Sequence, residues 1–256
     1  MLQLHLLERE VFLAIWIAIF GALAFYLFGK ITLPHDSPLP HISVGRLLLG
    51  LLVMSFTVYM IPGLWGAPLK LINAFPPPME YGESPFGVGG SGGSNSIVVL
   101  PSGAKSGPHG IVVFDDYEKG LAYAKSVNKP IMLDFTGFAC VNCRKMEEKV
   151  WSDQAVLDLL TKDYVIVSLY VDDKKINLPQ SQWYTTAAGK TITKLGDKNA
   201  HIEEAYFGKT TQPLYCLLDA NENLLQPALG ADHFKFAVDP FVEFLKAGVD
   251  QYNKRK

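Results

Sequence analysis

The chain of 256 residues has only three cysteines, Cys140, Cys143 and Cys216. So few cysteines exclude the framework of several disulfides that holds small secreted domains together. A zinc site of the usual kind is disfavoured as well, because there is neither a second Cys-x-x-Cys pair nor a His-x-x-x-His pair to complete four ligands. The cysteines must therefore be interpreted by their local context.

An excess of basic charge is also absent. The formal net charge is −2, so no broad basic surface points to nucleic acid. Charged residues are scarce in the first 110 positions, which hold five acidic and five basic residues, against 20 acidic and 18 basic in the remaining 146. Two different physical environments are predicted along one chain.

Two long uncharged runs fill the first part of the chain. They cover 11–29 and 47–69, and each meets the roughly 20 apolar residues that a helix needs to cross a bilayer. Pro62 and Gly63 are expected to kink or end the second helix near Ile61. The alternatives are a signal peptide and a buried core helix, but the start of the chain is not basic and lacks a small-x-small cleavage site. The sequence therefore predicts a membrane region over 1–74 with two transmembrane helices.

Membrane orientation follows from the basic residues. The loop from Lys30 to Arg46 carries two of them, whereas Arg9 precedes the first helix and Lys70 follows the second. The positive-inside rule then places the loop in the cytoplasm and both chain ends outside, by a margin of one charge. An outside amino end is what we expect if further membrane helices precede this chain in a longer protein.

A segment dense in Pro, Gly and Ser covers 75–110. Its composition cannot bury enough apolar surface to offset the entropy of ordering, so it is predicted to be a linker. The apolar stretch 97–100 is interpreted as a patch within that linker.

The rest of the chain, 111–256, alternates strand and helix patterns and is predicted to be an α/β or mixed domain. A helix is expected to be capped by Asp115 or Asp116 and to end at Pro130, a second to run from Cys140 to about Leu160 with a new start at Ser152, and a third to close the domain over 234–252. The residues 172–210 give no clear pattern. Predicted strands cover 111–114, 131–136, 164–171, 214–218 and 224–229.

Cys140 and Cys143 form a Cys-x-x-Cys pair directly after a predicted buried strand and at a predicted helix start. Unpaired N–H groups and the positive end of the helix dipole favour a thiolate on Cys140. Cys143 lies one turn further on, close enough to form a disulfide. A redox pair is therefore favoured, in which Cys140 attacks a disulfide and Cys143 resolves the mixed disulfide.

The Cys-x-x-Cys pair suggests functional roles for two further residues, Asp134 and Pro213. Asp134 interrupts an apolar strand six residues before Cys140, where an ionised carboxylate is costly to bury. It is expected to hold its proton to higher pH than usual and to accept the proton of Cys143 as that thiol attacks. Pro213 directly precedes a predicted strand, and a cis Gln212–Pro213 bond would place its backbone beside the disulfide, where an extended substrate could pair with it. The alternatives are a strand-end Asp bonded to backbone amides and an ordinary proline at a strand start.

The stretch from Asp134 to Cys143, followed later by Pro213, resembles the thioredoxin superfamily. The longer run CVNCRKMEEKVWSDQAV at 140–156, behind two membrane helices, resembles the carboxy-terminal part of thiol:disulfide interchange proteins of the DsbD type. The resemblance implies a thioredoxin-like fold, with a central mixed sheet flanked by helices, in a domain on the periplasmic side of a bacterial inner membrane.

The same resemblance implies roles for single residues. Cys140 would be the nucleophile, Cys143 the resolving thiol, Asp134 the buried acid and Pro213 the cis-proline. Glu147, one helical turn after Cys143, would be a second acid that tunes the pair, although a solvated glutamate on a helix face is the alternative. No cofactor is implied beyond the redox-active disulfide, and no bound metal.

Partners are implied in the same way. Electrons would come from a membrane-embedded cysteine pair, upstream in a longer chain or in a separate protein, because 1–110 contains no cysteine. They would pass to periplasmic thioredoxin-like or disulfide-bearing proteins, a class that includes apo-cytochromes c during cytochrome c biogenesis. The chain departs from the family at Ala139, where a Trp is frequent.

Alternative functions stay open from sequence alone. A thiol oxidase or isomerase uses the same chemistry at another reduction potential. A membrane-anchored Cu(I)-binding module would use the same cysteines as soft ligands, with Met146 nearby in the sequence but no cluster of Met or His to support it. Cys216, in the middle of a predicted strand, is interpreted as a buried structural thiol.

Overall fold

The structure, a computed structural model, describes residues 8–67, 69, 71–72, 75–76 and 100–256. The chain divides into an amino-terminal helical unit and a carboxy-terminal α/β unit, each compact in itself. Most of the predicted linker, 77–99, lies outside the described residues, together with most of the apolar patch predicted at 97–100.

The amino-terminal unit is a pair of helices, α1 (Arg9–Leu27) and α2 (Val44–Met60). By length and composition both are apolar enough to cross a membrane, with a mean hydropathy of 2.1 over each span. The predicted end of the second helix near Ile61 is confirmed, because α2 passes into a 3₁₀ turn over Ile61–Trp65. Pro62 within that turn has no N–H to continue an α-helix.

Arg46 ties the two helices together at one end. Its guanidinium donates hydrogen bonds to the backbone oxygens of Tyr26 and Leu27, both at 2.8 Å. These carbonyls belong to the last turn of α1, where no further helical N–H is available and the dipole is negative. One of the two basic residues that suggest the orientation of the loop therefore also caps a helix.

The carboxy-terminal unit is built around one six-stranded sheet of order β1-β2-β4-β3-β7-β8, with a separate hairpin of β5 and β6. The neighbours β2, β4 and β3 run parallel, whereas β1, β7 and β8 are antiparallel to their partners. The predicted class, a mixed sheet flanked by helices, is confirmed. Its elements are β1 (Ala104–Ser106), β2 (Val112–Phe114), α3 (Tyr117–Val127), β3 (Ile131–Thr136), α4 (Val141–Met146), a π-helical turn (Glu147–Trp151), α5 (Gln154–Asp163), β4 (Val165–Tyr170), β5 (Tyr184–Thr185), β6 (Thr191–Ile192), α6 (Leu195–Phe207), β7 (Leu214–Leu218), β8 (Leu229–Gly230), α7 (Ala231–Phe234) and α8 (Val238–Arg255).

Each face of this sheet carries its own apolar core. On the first, the α4 face, residues such as Met132, Ile166 and Tyr215 pack against the π-turn and against α4, α5 and α8. On the second, the α6 face, residues such as Leu133, Val167 and Cys216 pack against α3 and α6. Because side chains alternate along a strand, neighbouring positions of β3 and β7 belong to opposite cores.

The helix predicted from Cys140 to about Leu160 is divided into α4, the π-helical turn and α5. The structure differs from the sequence prediction in four other elements. Ala104–Ser106, assigned to the linker, forms β1 and pairs with β2, because a short polar strand can complete a sheet edge without an apolar signature. Residues 224–229 are not a strand. Only Leu229–Gly230 pairs with β7, and Leu224 makes a single bridge. The closing helix begins at Val238, since Lys235 adopts a positive φ that ends the short α7 before it.

The fourth difference is the unparsed stretch 172–210, which contains the hairpin of β5 and β6 and the 13-residue helix α6. Helix α6 has little amphipathic pattern because polar residues, Asn199 and Glu203, are among those that it buries. Asn199 donates a hydrogen bond to the backbone oxygen of Tyr170 at 3.0 Å. The helix is held by polar contacts that hydrophobic periodicity does not register.

Candidate active site

The two cysteines lie where β3 delivers the chain to α4. Strand β3 ends at Thr136, a short loop follows, and Cys140 is the N-cap of α4. Its sulfur accepts a hydrogen bond from the backbone N–H of Cys143 at 3.1 Å. The unpaired N–H groups of this first turn and the positive end of the helix are what stabilises a thiolate at this position.

Cys140 and Cys143 are joined as a disulfide, with Cα atoms 5.3 Å apart. The two sulfurs differ in access, because Cys143 is only 1% exposed whereas Cys140 is partly exposed. A partner protein can therefore reach Cys140 and not Cys143. This asymmetry fits the predicted division into an attacking and a resolving thiol.

Asp134 is buried in the middle of β3, with 3% of its surface exposed. It shares a side of the strand with Met132 and so lies on the α4 face, the side covered by the helix that carries the cysteines. The hydroxyl of Ser168 on β4 donates to the carboxylate at 3.2 Å. The structure thus places this acid in the interior beneath α4, as its predicted role requires.

Tyr215 is the register partner of Asp134 on β7. Its pKa is raised well above the ordinary value, chiefly by burial and next by the negative charges of Asp134 and Glu147. Tyr215 therefore stays protonated beneath the site, within electrostatic range of both acids.

Glu147 is buried and begins the π-helical turn that follows α4. Its carboxylate forms an ion pair with Arg144 at 2.8 Å, and the same guanidinium nitrogen donates to the hydroxyl of Thr136 at 3.2 Å. Arg144 thereby links the end of β3 to the helix after the cysteines. The solvated helix-face alternative for Glu147 does not describe its position, and its tuning role stays a prediction.

Asp172 holds the loop before Cys140 and was not singled out from the sequence. Its two carboxylate oxygens accept hydrogen bonds from the backbone N–H groups of Phe138 at 2.9 Å and Ala139 at 3.1 Å. A Cβ atom on Gly137 would lie 3.1 Å from this carboxylate, so glycine permits the close approach. The available signal was an aspartate directly after the predicted strand that ends near Val171, at the edge where parallel strands finish.

Pro213 follows a cis peptide bond from Gln212. The next residue, Leu214, is paired with Phe135 near the end of β3. The proline therefore lies at the same end of the central strands as the loop that leads from β3 to Cys140. The structure brings the two segments to one edge, and the contact with substrate stays a prediction.

Glu203 on α6 is a buried acid that the sequence did not reveal, with 1% of its surface exposed. Its carboxylate accepts a hydrogen bond from the backbone N–H of Thr211 at 2.9 Å and another from the side-chain amide of Gln212 at 2.7 Å. Burial raises the pKa of Glu203 to about 7, against the lowering effect of these two hydrogen bonds. The acid thus holds the segment that leads into Pro213.

Cys216 is fully buried in β7 on the α6 face. Burial, and secondly the charge of Glu203, raises the pKa of this thiol. It is therefore protonated and shielded, which fits a structural thiol. Met146, the thioether considered for Cu(I), is buried in the core of the α4 face, and no group of three or more potential ligands among His, Cys, Asp and Glu occurs in the part of the chain that the structure describes.

The chain is similar to one family model and to solved structures. Residues 113–220 match a family model described as thioredoxin-like. Two solved structures are also similar, although the superposition is loose. One is described as a DsbH oxidoreductase, at 21% identity and a TM-score of 0.36, covering 62% of this chain and 94% of the other. The second is a disulphide isomerase from Xylella fastidiosa Temecula1, at 17% identity and a TM-score of 0.32, covering 54% and 86%.

No curated protein matches the chain. The matched segment runs from β2 to just beyond β7 and includes the disulfide, Asp134, Glu147 and the cis-proline. The carboxy-terminal unit of this chain therefore has a thioredoxin-like fold.

Proposed function

We propose that the protein is a membrane-anchored protein-disulfide reductase that acts through Cys140 and Cys143. The observation that carries this proposal is the disulfide at the amino end of α4, with one accessible and one buried sulfur and with Asp134 buried on the same face of the sheet. Accessibility, a helix N-terminus and a buried proton acceptor are the features that dithiol–disulfide exchange requires.

In the reduced protein, the Cys140 thiolate attacks one sulfur of a substrate disulfide. A mixed disulfide forms and the other substrate sulfur leaves as a thiolate, which takes up a proton. Cys143 then gives its proton to Asp134 and attacks the sulfur of Cys140, which releases the second substrate thiol and closes the Cys140–Cys143 disulfide. The substrate gains two electrons and two protons: one proton replaces the one that Cys140 gave to solvent when it ionised, and the other replaces that of Cys143, which Asp134 gives up as the second substrate thiolate leaves.

A donor must then reduce the disulfide again. The first 110 residues contain no cysteine, so these residues cannot relay electrons by thiol exchange. We assign the donor role to a membrane-embedded cysteine pair, in a preceding segment of a longer protein or in a separate protein. The acceptors are periplasmic proteins that present disulfides, including thioredoxin-like proteins.

The apolar surface of α1 and α2 supports the anchoring part of this proposal. Side chains such as Ile19, Leu48 and Leu52 are exposed, with 66% for Leu52, which lipid accommodates and water does not. In this arrangement both helices cross the inner membrane, the loop between them is cytoplasmic, and the thioredoxin-like domain is periplasmic.

Thiol labelling in intact cells tests this topology. On a Cys216→Ala background with Cys140 and Cys143 also replaced by Ser, Ser37→Cys reports on the loop and Asn253→Cys on the exposed end of α8. We expect a membrane-impermeant maleimide to label position 253 in the periplasm and to label position 37 only after the membrane is permeabilised. The reverse pattern would place the domain in the cytoplasm.

The reduction potential of the pair tests the direction of electron flow. The full chain in detergent is equilibrated with dithiothreitol or glutathione buffers, and its thiols are trapped by alkylation, with Cys143→Ser as the variant that cannot close the disulfide. A potential near or below roughly −200 mV supports a reductase, whereas one near about −120 mV identifies an oxidant and contradicts the proposal.

A further inference from the structure

The segment between β4 and the cis-proline is longer than a simple connection and contributes both of the acids that hold the loops of the site. Asp172, at its start, accepts hydrogen bonds from the loop before Cys140. Glu203, on α6, accepts hydrogen bonds from the two residues before Pro213. The first contact lies beside the reacting cysteine. The second lies just before β7, at the residues with which a substrate backbone could pair.

The position of Glu203 is itself fixed. Helix α6 is held against β4 by the hydrogen bond from Asn199 to the backbone oxygen of Tyr170. Gly196, at its first turn, lies so close to the backbone of Asp173 that any Cβ there would collide with it. The carboxylate is therefore presented from a rigid support rather than from a mobile loop.

Thr211 and Gln212 are the two residues that precede the cis bond. Thr211 is exposed, and Gln212 is followed directly by the cis bond. The two hydrogen bonds that the Glu203 carboxylate accepts fix both the backbone and a side chain of this segment. Since Leu214 is already locked into the sheet opposite Phe135, the two anchors together determine where the backbone of Pro213 is presented.

Resting on the function proposed above, we infer that Glu203 is a positioning residue for protein substrates: it fixes the segment before Pro213 so that its backbone can pair with an extended chain next to the substrate disulfide. Such pairing uses main-chain hydrogen bonds of the residues that precede β7, of which Thr211 is exposed and Gln212 half-buried, and it depends on a backbone held in one position. A small disulfide without a peptide backbone gains nothing from it. The two kinds of substrate should therefore respond differently to loss of Glu203.

The test compares two oxidants of the reduced full chain in detergent. Insulin presents disulfides within a peptide chain, and 5,5′-dithiobis(2-nitrobenzoate) presents a small aromatic disulfide. In the Glu203→Ala variant we expect the rate constant for insulin to fall about three- to tenfold, the worth of roughly one net hydrogen bond. The rate constant for the small disulfide and the reduction potential of the cysteine pair should remain those of the wild type.

The conservative variant Glu203→Gln should restore the insulin rate. Its amide oxygen can accept from Thr211, and its NH₂ can donate to Gln212 once the amide of Gln212 is rotated. Glu204→Ala, on the exposed side of the same helix, is the matched control and should change neither rate. Selective loss with insulin, together with rescue by glutamine, supports the inference.

Other outcomes overturn it. An unchanged insulin rate in a folded Glu203→Ala variant would show that the contact does not position substrate, and an equal fall with both oxidants would show a merely structural role. If that variant does not fold, Gln212→Ala removes one of the two hydrogen bonds to Glu203. The ratio of its rate with insulin to its rate with the small disulfide then tests the inference in the same way. A wild-type chain that does not reduce insulin at all would overturn the proposed function first, and this inference with it.

Discussion

A cysteine and a buried carboxylate lie on each face of the central sheet, but in different arrangements. On the α4 face, the buried acid Asp134 lies beneath the helix that carries the cysteine pair. On the α6 face, the buried acid Glu203 lies within electrostatic range of the lone thiol Cys216. A cysteine and a buried carboxylate are thus present on both sides, but only one side has the geometry of a redox site.

The difference lies in the backbone around each sulfur. Cys140 is partly exposed at a helix N-terminus, where N–H groups and the dipole stabilise a thiolate. Cys216 is in the middle of a strand whose N–H groups are used in pairing, and burial raises its pKa. A nearby carboxylate disfavours a thiolate further. Thiol reactivity is therefore decided by the helix end and by access, and not by the presence of an acid.

The largest effect should come from the α4 face. Cys140→Ser removes the accessible nucleophile, so exchange with insulin should fall below detection, while Cys143→Ser should accumulate a mixed disulfide because the resolving thiol is missing. Non-reducing gels and mass spectrometry of the full chain after exposure to insulin detect both outcomes. Normal turnover in Cys140→Ser would show that the reacting sulfur has been misassigned.

A smaller but clear effect is expected for Asp134→Asn. The amide keeps the size and the hydrogen bond from Ser168 but cannot accept the proton of Cys143, so release of the mixed disulfide should slow by about 100-fold or more. Rapid-quench trapping of the mixed disulfide measures this step. Ser168→Ala is the companion variant, and a loss of equal size there would assign the effect to packing instead of proton transfer.

The α6 face should respond to pH through stability. The pKa of Glu203 is raised from 4.5 to about 7 in the folded protein, so between these values the folded state binds more protons than the unfolded one. The free energy of unfolding should therefore decrease as pH rises from about 4.5 to 7, by no more than about 3 kcal/mol from this group.

Glu203→Gln should remove this part of the slope, because glutamine does not titrate. Urea unfolding of wild type and variant at pH 5 and pH 8, followed by circular dichroism, measures the difference. Cys216 does not contribute to it, since its pKa is raised and the thiol stays protonated throughout. Parallel profiles for the two proteins would show that Glu203 titrates normally.

The smallest effect on exchange is expected for Cys216→Ala. The rate constants with insulin and with the small disulfide should stay within about twofold of the wild type, while loss of one buried sulfur should lower stability by about 1 kcal/mol. Alkylation of the native wild-type chain should leave Cys216 unmodified. A strong loss of exchange would contradict the contrast between the two faces.

Local features of the sequence were sufficient for the central elements. The strands at 131–136 and 214–218 are found at the predicted residues, and Asp116 caps α3 by accepting a hydrogen bond from the N–H of Lys119. These signals are local, since a continuous apolar run, a capping side chain and a proline act over a few neighbouring residues.

Elements held by distant contacts were not predictable in this way. Strand β1 exists because β2 offers it an edge, and α6 buries Asn199 and Glu203 against partners far along the chain or in the next loop. The helix expected to begin at Cys140 is interrupted by a π-turn, where Glu147 is paired with Arg144. No periodicity encodes such polar contacts.

Three features of this protein could be recognised from its sequence: a Cys-x-x-Cys pair after a buried strand, an acid within that strand and two apolar helices long enough for a bilayer. These features depend on residue types and on spacings of a few residues, both of which can be read directly from the sequence. Only the tertiary structure decided which acids hold the two loops of the site, because Asp172 and Glu203 reach Phe138, Ala139, Thr211 and Gln212 through the folding of the sheet. Buried carboxylates are satisfied by whatever donors the fold brings to them, and that pairing is fixed only when the strands and helices have come together.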